Sequence, residues 1–163
     1  MEPGRPLQKG DVAWCEFPYP GLKKKLHPVL ILQTLIVENE KKGGHYFVVV
    51  SGGTSIYGEN GRRRLGKKHE LHVQSSDPEF EGTNLDHPTK FSLAEPEIVI
   101  LPYTAPIFRL RDLCDGGSPV IGHLDLTTLS MRTRLRIASE AVGGLDEVVD
   151  RKIDAYNAKR GKD

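Results

Sequence analysis

Six residues between two apolar segments carry the densest chemistry in the chain: Lys23-Lys24-Lys25-Leu26-His27-Pro28. Three cations and an imidazole fall together there. Lysines supply point charge to phosphates, and a histidine exchanges protons near neutral pH, since its free pKa is about 6.5. A second short segment, Gly52-Gly53-Thr54-Ser55, follows another apolar run. Its glycines let a ligand approach the backbone, and its two hydroxyls can bind phosphate oxygens. Both segments also have plainer uses. Lysines keep a loop solvated, and Thr-Ser in a turn bonds its own backbone. From composition alone the solvated loop is the simpler reading. A third basic stretch runs through Arg62, Arg63, Arg64, Lys67 and Lys68. It serves equally as an electrostatic track for a nucleic-acid strand and as a charged surface loop.

Other chemistries lack their residues. No Walker phosphate loop, dinucleotide-binding glycine pattern or nucleophile elbow occurs in the chain. His69 and His72 are three apart with Glu70 between them. The zinc-protease pattern needs four on a helix, so no metal site is assigned. The two cysteines, Cys15 and Cys114, are too few for a disulfide scaffold or zinc ribbon and fit a reducing cytoplasm. Net charge is +1, so nucleic-acid binding would have to come from local patches. The longest apolar runs are far below the roughly 20 residues of a membrane span. Met1 to Lys9 carries no apolar core of a signal peptide.

The elements that must position these residues are short. Asp11 to Phe17 is apolar on both parities and predicts a strand buried on two sides. Pro28 to Val37 predicts a second strand opening on its proline, and His45 to Val50 a third that ends at Ser51 to Ser55. On this scheme His27 lies in a loop and Thr54 in a turn. The two are expected to meet in one pocket at one end of the sheet. Further strands are predicted at Glu70–Val73, Thr89–Leu93, Glu97–Leu101 and Val120–Leu124, with a long loop over Ser75–Pro88.

The last forty residues turn helical. Asp125 is placed as the cap of a helix to Val142, with Met131, Leu135 and Ala138 on its apolar stripe and Leu129 and Ile137 off it. Gly143-Gly144 stops it, and Leu145, Val148, Val149, Ile153 and Tyr156 mark a second amphipathic helix before a frayed tail. The fold class expected is mainly β: a small, partly open β-barrel with C-terminal helices. Residues 1–142 form the barrel domain with its terminal helix, and residues 143–163 the added helix and tail.

These segments, in this order, resemble the MazF/PemK (Kid-like) toxins of bacterial toxin–antitoxin pairs. Lys9-Gly10-Asp11-Val12-Ala13-Trp14 looks like the family's opening strand, and Lys25-Leu26-His27-Pro28-Val29-Leu30-Ile31-Leu32 is similar to its Lys-x-Arg-Pro-x-Leu-Val-Leu. Gly53-Thr54-Ser55 matches a Thr-Ser pair after the third strand. Thr89-Lys90-Phe91 with Leu101-Pro102-Tyr103-Thr104 resembles a distal signature of one PemK-like branch, and Ile121-Gly122-His123-Leu124 the step before the terminal helix. Together they cover most of residues 9–140.

The resemblance implies an SH3-like barrel of the PemK/MazF/CcdB type, usually a homodimer. It implies cleavage of single-stranded RNA without metal or other cofactor, and a cognate antitoxin protein as partner. Carried over, His27, Thr54 and Ser55 become the catalytic set, and Lys23, Lys24, Lys25, Arg62, Arg63, Arg64, Lys67 and Lys68 the RNA-binding set. One position departs: His27 stands where the family has arginine. Arginine is always cationic and grips a phosphate bidentately, whereas histidine moves protons. A CcdB-like gyrase poison without chemistry, and a barrel that only binds RNA or protein, stay open as alternatives. The chain lacks the tryptophan near the C-terminus that marks the CcdB group.

Overall fold

The structure is a computed structural model, and it describes residues 7–18, 26–39, 43–57, 66–103, 107–108 and 119–160. Lys23, Lys24, Lys25, Arg62, Arg63, Arg64 and Cys114 lie outside the described residues.

Seven strands among the described residues form a curled, mainly antiparallel sheet, followed by two C-terminal helices. Strand β1 (Asp11–Glu16) is buried on both faces, as its double apolar parity demands. Strand β2 (Leu26–Asn39) begins two residues before the proline. Pro28 is tolerated there because it pairs with Trp14 of β1, while the ladder to β3 (Gly43–Ser55) starts only at Val29↔Gly52. His27 is therefore a strand residue opposite Cys15, not a loop residue. Strand β3 likewise runs on through Gly52-Gly53 to Ser55, so Thr54 and Ser55 are strand residues rather than turn residues. The short strands β4 (Glu70–Val73), β5 (Thr89–Ser92), β6 (Ile98–Pro102) and β7 (Val120–His123) complete the sheet. The run Ser75–Pro88 contains one helical turn, α1 (Phe80–Thr83).

β3 organises the sheet. One edge pairs with β2; the other pairs with β6 over Phe47–Ser51 and with β5 over Gly53–Ser55. The handover falls at Gly53, where an added Cβ would lie 2.7 Å from both the Phe91 ring and the Pro28 carbonyl oxygen. Only a residue without a side chain fits between them.

The two sheet faces bury separate clusters. The inner one holds Val12, Leu30, Val49, Leu71, Phe91 and Ile98, closed by Met131, Ala138, Leu145 and Val148 from the helices. The outer one holds Ala13, Cys15, Val29, Ile31, Val48 and Val50 under Phe17 and Phe108. Helix α2 (Leu129–Ala141) is capped by the Thr128 hydroxyl, which accepts from the Met131 N–H. The Asp125 carboxylate instead accepts from the Thr127 N–H and hydroxyl, closing a tight turn that delays the helix by one turn. Leu129 and Ile137 are exposed, off the buried stripe. Gly143 and Gly144 take positive φ (81° and 110°) and separate α2 from α3 (Leu145–Arg160), whose Tyr156 ring packs on Phe47.

Gly53→Ala should cost about 1–3 kcal/mol, the usual penalty of overpacking. Urea denaturation would measure it against Leu129→Ser, at a position 79% exposed, which should stay within about 0.5 kcal/mol of wild type.

Candidate functional site

The ends of β2 and β3 bring two predicted residues together. Gly53 abuts the Pro28 carbonyl. One Cα–Cα step of about 3.8 Å at each end then holds the Cα atoms of His27 and Thr54 within about 14 Å. Beyond Thr54 the row continues: Thr54 pairs with Lys90 of β5, and Lys90 pairs with His72 of β4. Directly opposed residues share a face. Gly53, Phe91 and Leu71 form the adjacent row, in which Phe91 and Leu71 point into the inner cluster. Thr54, Lys90 and His72 thus face outward, the side on which His27 and Cys15 also lie.

Ser55 takes the opposite face from Thr54, as neighbours in a strand must. It pairs with the buried Thr89, and its hydroxyl accepts the Tyr57 N–H at 3.1 Å. Lys67 and Lys68 are exposed just before β4. The Lys67 N–H donates to Glu70 Oε1 at 2.7 Å.

Glu70 is the electrostatic centre of this end of the sheet. Its Oε2 lies 2.9 Å from Lys90 Nζ, and its Oε1 lies 3.4 Å from His72 Nε2. The carboxylate is only 7% exposed. Burial pushes its pKa up, but the Lys67 N–H, the Lys90 ammonium and the His72 ring together outweigh burial and hold it below the ordinary glutamate range. Behind it, Arg134 of α2 donates to the His72 carbonyl and grips Asp77 with two bonds of 2.7 and 2.8 Å. The guanidinium holds the Asp77 carboxyl below its usual range against the opposing effect of burial.

Cys15 beside His27 has the composition of a nucleophile pair. Burial, with the Glu16 charge added, pushes the thiol up to about 12. A thiol so high is not ionised at neutral pH, which leaves Cys15 a packing residue.

A separate cavity of about 400 Å³ opens between α2, Lys9 and the start of α3, lined by Arg132, Arg136 and Leu135 among others. None of the row residues lines it.

Sequence reasoning missed Lys90, His72 and Glu70 as partners of Thr54. The available signal was Glu70-x-His72 at strand spacing, which puts both on one face. Compared with known proteins, the chain matches no family model and no curated sequence.

Because Glu70's folded pKa is lowered, its stabilisation is complete above the free value of 4.5 and disappears as pH falls through the folded value. Glu70→Gln should lower stability at pH 7 and flatten its decline between pH 5 and 3, read as urea midpoints across about that range.

Proposed function

We propose that the protein is the toxin of a type II toxin–antitoxin pair, an endoribonuclease that cleaves single-stranded RNA without a metal. Its sheet and helices are then those of an SH3-like PemK/MazF barrel acting as a cytoplasmic homodimer, with an antitoxin protein as the partner that blocks the site. The observation that carries this reading is the outward row in which Thr54 stands opposite Lys90, with His27 on the neighbouring strand at the same end of the sheet.

The row supplies what the reaction needs. In such cleavage the ribose 2′-hydroxyl attacks the adjacent phosphorus. One group removes its proton, another protonates the leaving 5′-oxygen, and cations or donors stabilise the charge that gathers on the phosphoryl oxygens. Lys90 and Thr54 are one cation and one hydroxyl at adjacent positions, suited to those oxygens. His27 is a proton-transfer group beside them. Lys23, Lys24 and Lys25 in the preceding residues, and Lys67 and Lys68 before β4, extend positive charge to either side along the chain. Arg62, Arg63 and Arg64 add to the second group.

A barrel that binds RNA without cutting it is the second reading. Two observations favour it: histidine replaces the family's arginine at position 27, and Glu70 already neutralises Lys90.

Purified protein incubated with mixed-sequence RNA in EDTA should produce fragments ending in a 2′,3′-cyclic phosphate and a 5′-hydroxyl. Retention of intact RNA on the protein would decide for the second reading. Lys90→Gln should lower kcat by about 10²–10³-fold, the cost of losing one donor to a developing oxyanion. His27→Ala should lower cleavage by about 10²–10⁴-fold while binding of uncleavable 2′-deoxy RNA changes little. An increase in activity in His27→Arg would instead assign position 27 to phosphate gripping.

A further inference from the structure

RNA cleavage by 2′-hydroxyl attack needs two proton transfers, and His27 can supply only one of them in a given step. We infer that His72 is the second group, the general base that takes the 2′-hydroxyl proton, and that Glu70 is its positioning residue. This inference rests on the RNA-cleavage reading above.

The geometry comes from three strands. Lys90 lies between Thr54 on one side and His72 on the other, each its direct cross-strand neighbour. His27 lies one strand beyond Thr54. The two imidazoles therefore flank the hydroxyl–ammonium pair, His72 on the strand beyond Lys90 and His27 on the strand beyond Thr54. A phosphate seated on Lys90 and Thr54 would have one imidazole on each side, the arrangement that an in-line displacement requires.

The tautomer follows from the partner. An ionised carboxylate only accepts, so the His72 nitrogen 3.4 Å from Glu70 Oε1 must be the protonated Nε2. Hydrogen bonds of catalytic groups are often this long before substrate binds. Neutral His72 then carries its lone pair on Nδ1. The ring edge rests on the backbone at Gly66, where an added Cβ would lie 2.9 Å from Cε1 and 3.1 Å from Nε2 but 3.8 Å from Nδ1. Nδ1 is the nitrogen farthest from that contact. The carboxylate thus orients the base in the way the aspartate of a serine-protease triad orients its histidine. Charged groups around His72 are Glu70 on its own strand, Lys90 on β5, and Arg134 on α2 with its partner Asp77.

The step balances without a co-reactant. The 2′-hydroxyl proton passes to His72 Nδ1 as the 2′-oxygen bonds to phosphorus. The bond from phosphorus to the 5′-oxygen breaks, and protonated His27 gives that oxygen its proton. Solvent exchange restores both rings.

The test compares an oligoribonucleotide that the wild type cuts with one carrying sulfur in place of the bridging 5′-oxygen. A thiolate leaves without protonation, so this substrate needs a base and no acid. His72→Ala should lower kcat/KM by about 10²–10⁴-fold on both substrates. His27→Ala should lose activity on the oxygen substrate and recover it on the sulfur one. Glu70→Gln should lower kcat with KM little changed. Circular dichroism checks folding, and His72→Gln, which keeps a donor for Glu70 and cannot accept the proton, repeats the test if His72→Ala does not fold. Wild-type rates in the His72 variants, or their recovery on the sulfur substrate, would overturn the inference and leave the RNA reading standing. A wild type that cuts neither substrate would overturn both.

Discussion

The close approach at Gly53 is the constraint on which the rest of this structure depends. One strand, β3, must serve β2 along one edge and two different strands along the other. It can change partners only where its backbone passes between the Phe91 ring and the Pro28 carbonyl, with no room for a Cβ. That passage seats Phe91 in the inner cluster and lets β5 pair with the end of β3. Without it the inner core would lose its largest buried side chain, and Lys90 of β5 would have no place opposite Thr54.

Electrostatics fastens the short strands that packing alone holds weakly. β4 and β5 have four residues each, and their ladder is reinforced by one carboxylate. Glu70 binds the Lys67 backbone, the Lys90 ammonium and the His72 ring together. A second carboxylate, Asp77, receives the fork of Arg134 and ties α2 to the end of β4. Bidentate pairing makes that contact geometrically specific as well as attractive. At the other edge, fully buried Asp11 accepts from the Gln8 N–H and pairs with His123 Nδ1 at 2.9 Å, joining β1 to β7. These three carboxylates thus each have a partner on a different element, which a charge removed from water requires.

The candidate site was half legible. His27 and Thr54 stood out because their residue types sit beside glycines, prolines and cations in sequence. Lys90, His72 and Glu70 did not, because their relation to Thr54 is created by ladders across three strands. Even the neighbouring pair Thr54-Ser55 reads differently in three dimensions. Strand alternation sends one hydroxyl outward and turns the other to the Tyr57 backbone. Reading both as turn residues was the natural result of two glycines before them, since glycine is the commonest sign of a turn.

What the sequence determined by itself was periodic. The double parity of Asp11–Glu16, the isolated run Glu70–Val73, the buried stripe of α2 and the Gly143-Gly144 stop all express spacings of 2.0 or 3.6 residues over a few neighbours. Such signals are local, so they survive without knowledge of the fold. Only the tertiary structure decided where strands end and who faces whom. β2 extends back past Pro28 because β1 is there to pair with it, and β3 extends through two glycines because β5 meets it. Thr128 caps α2 in place of Asp125 because the Asp125 carboxylate is occupied three residues earlier. Hydrogen-bond partners and register are properties of two segments at once, and no single segment encodes them.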